Sequence, residues 1–308
     1  MTQVTGKEHW TIKNTPDGDV RLFLWEKFVD SPDGKPAVLF VHGSSMASQP
    51  TFDLTVPGRP DSSVMDWFAE RGFVCWCVDM EGYGRSDKKR DIHCDIANGA
   101  DDLEAATDYI NDTRGVRAFL TYGISSGALR AALFAQRHPE RVSRLALDAF
   151  VWTGEGAPTL EQRRKKLPEF LAARRRPIDR NFVRSIFERD HPDCADQVTV
   201  EAFADAILAL DDSMPNGTYV DMCSRLPVVD PAKITVPTLL LRGQFDGIAA
   251  MDDLIEFFKR LPSADKQFTV MNGISHASFQ QKNYKMVYDI LHAYFARPAP
   301  AYTAAGAH

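Results

Sequence analysis

The segment GISSG places Ser125 between two glycines, Gly123 and Gly127. An apolar run before it predicts a strand, and the alanine-rich run at 126–138 predicts a helix. The few residues between them must reverse the chain, so the residue at the bend takes an unfavourable backbone conformation and its neighbours two positions away must lack a Cβ. This spacing fits Ser125 and fails for Ser126, which makes Ser125 the candidate nucleophile.

A serine hydroxyl is a weak nucleophile that needs a base, and the base needs a third group to hold it. Of the eight histidines, His276 is the one that follows the last predicted strand, whereas His9 precedes the predicted fold. Asp246 follows a buried apolar strand about one αβ unit earlier, so both side chains should lie at the sheet edge where Ser125 stands. Asp148, which follows another predicted strand, is the alternative carboxylate.

Negative charge that develops on a reacting carbonyl oxygen needs hydrogen-bond donors beside it. Ser126 would open the helix after the nucleophile, where its backbone N–H faces the site. The segment VHGSS ends another predicted strand in a glycine, which lets the chain turn so that the amide of Ser44 points at the Ser125 hydroxyl. We therefore expect the amides of Ser44 and Ser126 to form an oxyanion hole, with Ser45 as the fallback donor.

Together these segments resemble the α/β-hydrolase fold superfamily over nearly the whole chain. The matching segments are VHGSS for the oxyanion turn, DMEGYGRSD at 79–87, GISSG for the nucleophile elbow, RGQFDG for the acid and GISHASF for the histidine, in the order Ser, Asp, His. The resemblance implies an α/β fold with a mostly parallel eight-stranded sheet, flanking helices and a helical lid. Ser125 departs from the aspartate that epoxide hydrolases and haloalkane dehalogenases carry at this turn, which disfavours those two reactions.

The elements that must position these residues alternate as βα units do. Strands are predicted at 21–28, 37–41, 73–78, 117–122, 144–147, 235–241 and 267–271, and helices at 62–71, 97–113, 126–138, 250–261 and 280–296. Asp252 and Asp253 are predicted to be first-turn acids of a helix, facing solvent.

The stretch 152–234 breaks this alternation because it is rich in helix, proline and polar residues. It is too long for a loop within a compact domain, so it is predicted to be a helical insertion over the core. The resemblance assigns it to the family's helical lid and implies an α/β-hydrolase core formed by 1–151 and 235–297. The tail at 298–308, rich in Ala and Pro, is predicted to be disordered.

Composition narrows the class of protein. A chain of 308 residues that is 44% hydrophobic is long enough for a large core. The net charge of −6 argues against a nucleic-acid partner, since phosphates need a basic face. No run of 18 apolar residues predicts a membrane span, and five scattered cysteines without a CxxC pair indicate reduced thiols in a cytoplasmic protein. The expected partner is a small molecule, and the oligomeric state is not readable from the sequence.

The charge within the predicted lid is uneven: residues 161–180 carry a net charge of +5 and residues 187–221 a net charge of −8. Solvated helix faces are one interpretation. The sharper interpretation is a basic rim, including Arg174, Arg175 and Arg176, that steers a carboxylate-bearing substrate toward the site.

Four residues flank the catalytic segments and are candidate substrate contacts: Ser45, Met46, Trp152 and Phe279. Core packing is the alternative for the three large side chains among them.

These residues predict nucleophilic acyl transfer through an acyl-enzyme, with no metal or organic cofactor. The chain also resembles bacterial catabolic hydrolases of aromatic or alkyl monoesters, including monoalkyl phthalates, and carbon–carbon hydrolases of ring-cleavage pathways. A serine esterase acting on a small-molecule ester is the leading hypothesis. A carbon–carbon bond hydrolase and a non-catalytic binding protein on the same fold are the alternatives.

Overall fold

A computed structural model describes residues 3–299, so nearly all of the predicted tail at 298–308 lies outside the described residues. The strands are β1 Val4–Lys13, β2 Val20–Val29, β3 Ala37–Val41, β4 Val74–Val78, β5 Phe119–Ile124, β6 Val142–Asp148, β7 Arg175–Pro177, β8 Ser213–Pro215, β9 Thr238–Gly243 and β10 Lys266–Met271. The α-helices are α1 Ser48–Phe52, α2 Val64–Ala69, α3 Ile96–Arg114, α4 Ser126–Arg137, α5 Pro158–Arg164, α6 Leu167–Ala172, α7 Arg180–Glu188, α8 Gln197–Leu208, α9 Gly217–Ser224, α10 Met251–Arg260 and α11 Tyr284–Ala296.

Eight strands form one sheet in the order β1-β2-β4-β3-β5-β6-β9-β10. The β1–β2 and β2–β4 pairs are antiparallel, and every later pair is parallel. The predicted α/β-hydrolase architecture is confirmed. Because parallel strands end at a common edge, the turns after β3, β5 and β9 and the loop after β10 meet there.

The sheet is buried on both faces, which explains its nearly continuous apolar strands. In β3 every residue is buried, and alternate side chains point to opposite sides. Leu39 and Val41 pack on the side of α3 and α4, whereas Val38 and Phe40 pack on the side of α2 and α11. Two apolar clusters therefore hold the central strands in place from both faces of the sheet.

The first strand was missed by sequence reasoning, which treated His9 as preceding the fold. β1 is an edge strand whose residues are mostly exposed, so its sequence carries little apolar alternation. His9 bridges the Glu26 carboxylate at 2.9 Å and the Tyr109 hydroxyl at 3.0 Å. It is therefore part of the fold, and it lies at the edge opposite β9 and β10.

Residues 152–234, called the insertion below, contain α5 to α9 and the short antiparallel pair β7–β8. Backbone hydrogen bonds tie the insertion to the core, among them one from the Gly217 N–H to the His93 carbonyl at 2.7 Å. Its function as a lid stays a prediction.

Candidate active site

Ser125 occupies the bend between β5 and α4 with φ of 58° and ψ of −125°, a conformation that non-glycine residues rarely take. A Cβ on Gly123 would lie 2.4 Å from the Gly127 carbonyl oxygen. One on Gly127 would lie 2.2 Å from the Val41 carbonyl oxygen. Only glycine fits at either position, so the strand, the helix and the β3 end close around a strained serine.

The bend brings Ser125 to His276 and Asp246. The Ser125 Oγ lies 3.0 Å from His276 Nε2, and His276 Nδ1 lies 3.1 Å from each carboxylate oxygen of Asp246. His276 comes from the loop after β10 and Asp246 from the loop after β9, and these two strands are paired in parallel. With Nδ1 donating to the carboxylate, Nε2 is left as an acceptor for the serine proton.

Asp246 is held as a carboxylate. Its Oδ1 accepts the backbone N–H groups of Ile248 at 2.8 Å and Ala249 at 3.2 Å. Burial disfavours the charge, but His276 and these two amides outweigh burial and hold the pKa of Asp246 below its usual range. The side chain is therefore ionised at neutral pH and can stabilise a charged imidazole.

Asp148, the alternative acid, is fully buried at the end of β6 and accepts the Tyr122 hydroxyl at 2.6 Å. Burial raises the pKa of its carboxyl to about 7. No hydrogen bond joins it to His276 among residues 3–299, and its charged form is disfavoured, so the geometry selects Asp246 over Asp148.

Two backbone amides flank Ser125. Ser126 is the first residue of α4, where an N–H has no acceptor within the helix. A Cβ built on Gly43 would lie 3.4 Å from the Ser125 Cβ, so the turn that carries Ser44 runs directly beside the nucleophile. This turn rests on His42, a fully buried residue whose Nε2 accepts the Met80 N–H at 3.0 Å. Burial, with the nearby Arg130 charge, lowers the pKa of His42 to about 3, which keeps it neutral.

A small cavity lies against Ser125 and has room for roughly one water molecule. It is lined by Ser44, Ser45, Met46, Ser125, Arg163, Ile186, Arg189, Tyr219 and His276. Ser45 and Met46 thus lie where sequence reasoning placed them. Arg163, Ile186, Arg189 and Tyr219, all from the insertion, were missed as site residues because no motif or spacing marks them.

Trp152 and Phe279 do not line this cavity. The Trp152 indole donates to the Val229 carbonyl at 3.1 Å and packs on Phe257. Phe279 stacks on Tyr122 with ring centroids 4.9 Å apart, in the apolar cluster on the α11 side of the sheet. Core packing, the alternative weighed for both side chains, explains their positions.

The predicted basic rim is also distributed differently. Arg174 is exposed and pairs with Asp91 at 3.4 Å, and Arg175 donates to the Gly82 carbonyl at 2.8 Å. Of the three arginines, only Arg176 reaches the turn beside the nucleophile, where it donates to the Ser44 carbonyl.

Asp253 corrects another expectation. It is buried rather than solvent-facing, and its carboxylate accepts the backbone N–H groups of Trp152, Thr153 and Gly154. It therefore anchors the chain where the insertion begins.

Asp190 adds a third carboxylate near His276. Among the described residues, one ligand atom each of Asp190, Asp246 and His276 lie within 4.8 Å of one another. His276 and Asp246 are already paired, and the Asp190 Oδ1 accepts the Thr159 hydroxyl at 2.6 Å.

In the part of the chain from residue 3 to 299, no helix combines the length and apolar character needed to span a membrane.

Comparisons with known proteins identify the family of the chain. Residues 33–283 match the family described as "Serine aminopeptidase, S33". A proline iminopeptidase of Neisseria meningitidis serogroup A is 25% identical over 281 residues, covering 80% of this chain and 85% of its own.

Solved structures show the same fold. A thermophilic esterase from Thermogutta terrifontis superposes with a TM-score of 0.66 at 19% identity, over 94% of this chain and 98% of its own. A 2-hydroxy-6-oxo-6-phenylhexa-2,4-dienoate hydrolase from a Rhodococcus species superposes with a TM-score of 0.66 at 17% identity, over 94% of this chain and 100% of its own. The chain belongs to the serine aminopeptidase S33 family of the α/β-hydrolase superfamily.

Proposed function

We propose that this hydrolase cleaves the carboxylic ester of a small molecule through an acyl-enzyme carried by Ser125. The observation that supports this most directly is the unbroken series of contacts from the Ser125 hydroxyl to His276 and on to Asp246, with distances of 3.0 and 3.1 Å. The strained bend at Ser125 adds support, because such strain persists where surrounding structure enforces it and clusters at functional sites.

In the proposed mechanism, His276 Nε2 takes the hydroxyl proton as Ser125 Oγ attacks the ester carbonyl. Asp246 keeps the imidazole in the required tautomer and stabilises its charged form. The tetrahedral intermediate collapses when His276 returns the proton to the departing alkoxide, which leaves as an alcohol. Water then enters, gives a proton to His276 and attacks the acyl carbonyl. As this second tetrahedral intermediate collapses, His276 returns that proton to Ser125 Oγ, which releases the carboxylic acid and restores the serine hydroxyl.

The amides of Ser44 and Ser126 are the proposed donors to the oxyanion. They are backbone groups fixed by the end of β3 and the start of α4, so they need no rearrangement as the charge develops. Removing one such donor typically lowers the rate about 10²- to 10³-fold.

An aminopeptidase is the second candidate, since the curated relatives are named as proline iminopeptidases. The Asp190 carboxylate near His276 offers a partner for a substrate ammonium group. Against this, Arg163 and Arg189 line the cavity against Ser125, and their positive charges would repel the ammonium group. The charge around the nucleophile thus favours an ester over an amino-terminal substrate.

A carbon–carbon hydrolase would use the same three side chains, so only substrates separate it from an esterase. Purified protein should be assayed with a p-nitrophenyl ester series, monoalkyl phthalates, proline p-nitroanilide and a dienoate ring-cleavage product, with Ser125→Ala as the control. We expect turnover of esters and none by the variant.

Covalent labelling tests the nucleophile independently of the substrate. A fluorophosphonate should add its mass to the peptide that contains Ser125, and Ser125→Ala should stay unmodified. Absence of labelling in the native protein would favour a non-catalytic binding protein on this fold. Preferential turnover of the anilide would indicate an aminopeptidase, and preferential turnover of the dienoate would indicate a carbon–carbon hydrolase.

A further inference from the structure

Three arginines of the insertion surround Tyr219 beside the nucleophile. The guanidinium of Arg163 lies 4.1 Å from the centre of the Tyr219 ring, and that of Arg176 lies 3.8 Å from it. Arg189 lines the same cavity as Tyr219 and Ser125. The residues come from α5, β7, the end of α7 and α9, so the folded insertion assembles this cluster from four separate elements.

The positive charge of the cluster is poorly neutralised within the protein. Among residues 3–299, the Arg163 side chain makes no hydrogen bond or ion pair. Arg189 forms an ion pair with Asp190, with its Nε 3.6 Å from the Asp190 Oδ2. Arg176 has no acidic partner in the described chain, although carbonyl and hydroxyl oxygens of Ser44, Ser45 and Pro215 occupy its terminal nitrogens.

The two arginines that line the cavity therefore have free donors. Their terminal nitrogens make no hydrogen bond to the described residues, whereas the same nitrogens of Arg176 are occupied. Arg189 has one counter-charge, Asp190, whereas Arg163 has none among the described residues, so an anion bound in the cavity would stabilise the cluster. The cavity has room for roughly one water molecule, so a substrate enters only when the insertion shifts.

Tyr219 reports the resulting electric field. It is buried, and its hydroxyl lies 3.1 Å from the Ser45 Oγ. Burial alone would raise its pKa, but the neighbouring guanidinium groups, Arg163 and Arg176 foremost, outweigh burial and lower the pKa of Tyr219 to about 7. The cavity thus favours negative charge a short distance from Ser125.

We propose that Arg163, Arg189 and Tyr219 form a subsite that binds a free carboxylate of the substrate while its ester carbonyl lies at Ser125. This rests on the proposed esterase function and narrows the substrate to monoesters of small dicarboxylic acids or esters of similar charge. A guanidinium fork matches the two oxygens of a carboxylate, and the Tyr219 hydroxyl supplies a further donor in its protonated form. Asp190, next to Arg189, disfavours the second charge of a phosphate dianion.

Two esters that differ by one carboxylate test the subsite: monobutyl phthalate and butyl benzoate. Wild-type protein should prefer the phthalate monoester in kcat/KM. Arg163→Gln and Arg189→Gln should each lower kcat/KM for the monoester about 10- to 100-fold, the usual effect of losing a charged hydrogen bond, and lower it by a smaller factor for the benzoate.

Arg164→Gln is the matched control, since Arg164 lies on the same helix and contacts the Thr153 carbonyl instead of the cavity. Thermal melts of all variants exclude loss of folding, and Arg163→Lys should restore part of the monoester activity because it keeps the charge without the fork. Equal losses on both esters, or a wild-type preference for the benzoate, would overturn the proposal.

Binding to Ser125→Ala protein separates this proposal from the esterase assignment. Phthalate should bind this variant in calorimetry and lose affinity when Arg163→Gln is added, whether or not any ester is hydrolysed. Such binding without ester turnover would reject the esterase and keep the subsite. Ester turnover without phthalate binding would keep the esterase and reject the subsite. Tighter binding of inorganic phosphate than of phthalate would show that the subsite binds phosphate rather than a carboxylate.

Discussion

The guanidinium of Arg176 donates a hydrogen bond of 2.9 Å to the carbonyl oxygen of Ser44, which joins the insertion to the turn beside the nucleophile. A second bond from the same nitrogen reaches the Ser45 hydroxyl at 3.2 Å. The other terminal nitrogen is held by the Pro215 carbonyl in β8 at 2.7 Å. Arg176 therefore fixes the peptide that follows Ser44, close to one of the proposed oxyanion donors.

Arg176→Ala should lower kcat about 10- to 100-fold on a neutral ester, because small displacements of catalytic groups have effects of this size. KM for that ester should change less. Steady-state kinetics with butyl benzoate measure both constants. Arg174→Ala is the control, since Arg174 is exposed and pairs only with exposed Asp91. Identical kcat values for the two variants would contradict a positioning role for Arg176.

The glycine after the nucleophile gives a test of the bend. Gly127→Ala would place a methyl group 2.2 Å from the Val41 carbonyl oxygen and 2.5 Å from that of His42, and neither backbone group can move without distorting β3. We expect a loss of at least about 1–3 kcal/mol of stability, as for other overpacked sites, together with nearly complete loss of ester hydrolysis.

Ser126→Ala is the matched comparison for that variant. Its hydroxyl is buried and has no hydrogen-bond partner among residues 3–299, and the substitution keeps the backbone amide. Stability and turnover should therefore stay close to wild type. A large loss of kcat in Ser126→Ala would show that the Ser126 hydroxyl, rather than its backbone amide, contributes to catalysis. Denaturant titration and the ester assay measure the two effects.

The sequence predicted the parts of the site that local chemistry fixes. The bend at Ser125 demands glycines at two set positions, and the ends of β9 and β10 bring Asp246 and His276 together because parallel neighbours share an edge. Such constraints are readable without coordinates. The sequence alone does not decide whether Asp246 or Asp148 holds the histidine. The distances around His276 distinguish the two carboxylates.

Long-range packing accounts for what the sequence did not predict. Arg163 lies on α5 and Arg189 directly after the end of α7, and nothing in their spacing indicates that both line the cavity at Ser125. Asp253 has the pattern of a solvent-facing helix acid, but the entry of the chain into the insertion covers it. β1 was missed because an exposed edge strand needs few apolar residues.

Asp253→Ala should destabilise the protein more than an ordinary helix substitution. It would leave three backbone N–H groups at the start of the insertion without their acceptor. Each buried group left unsatisfied typically costs about 1–3 kcal/mol, so we expect at least about 2 kcal/mol in total. Asp252→Ala, at the exposed neighbouring position, should change stability by less than about 0.5 kcal/mol. Equal urea midpoints for the two variants would reject this anchoring role.

The two buried carboxyls should behave oppositely when each is changed to asparagine. Asp246→Asn removes the charge that supports His276 and should lower kcat about 10³- to 10⁴-fold, as at other serine triads. Asp148→Asn should stay within about threefold of wild type, since the Asp148 carboxyl bonds to Tyr122 and makes no hydrogen bond to His276 among the described residues. Ester kinetics compare the two variants directly. A greater loss in Asp148→Asn would assign the triad acid to the end of β6.

Asp148 also sets a pH dependence of stability. Burial raises the pKa of its carboxyl to about 7, whereas an unfolded aspartate titrates near 3.9. The folded state therefore keeps a proton that the unfolded state loses, so the free energy of unfolding should fall as pH rises from about 4 to about 7, by on the order of 4 kcal/mol. Asp148→Asn cannot titrate and can still accept the Tyr122 hydroxyl through its amide oxygen. The variant should match wild type near pH 4 and exceed it at pH 8 in urea unfolding. Parallel stability curves for the two proteins would mean that the Asp148 carboxyl ionises without penalty in the fold.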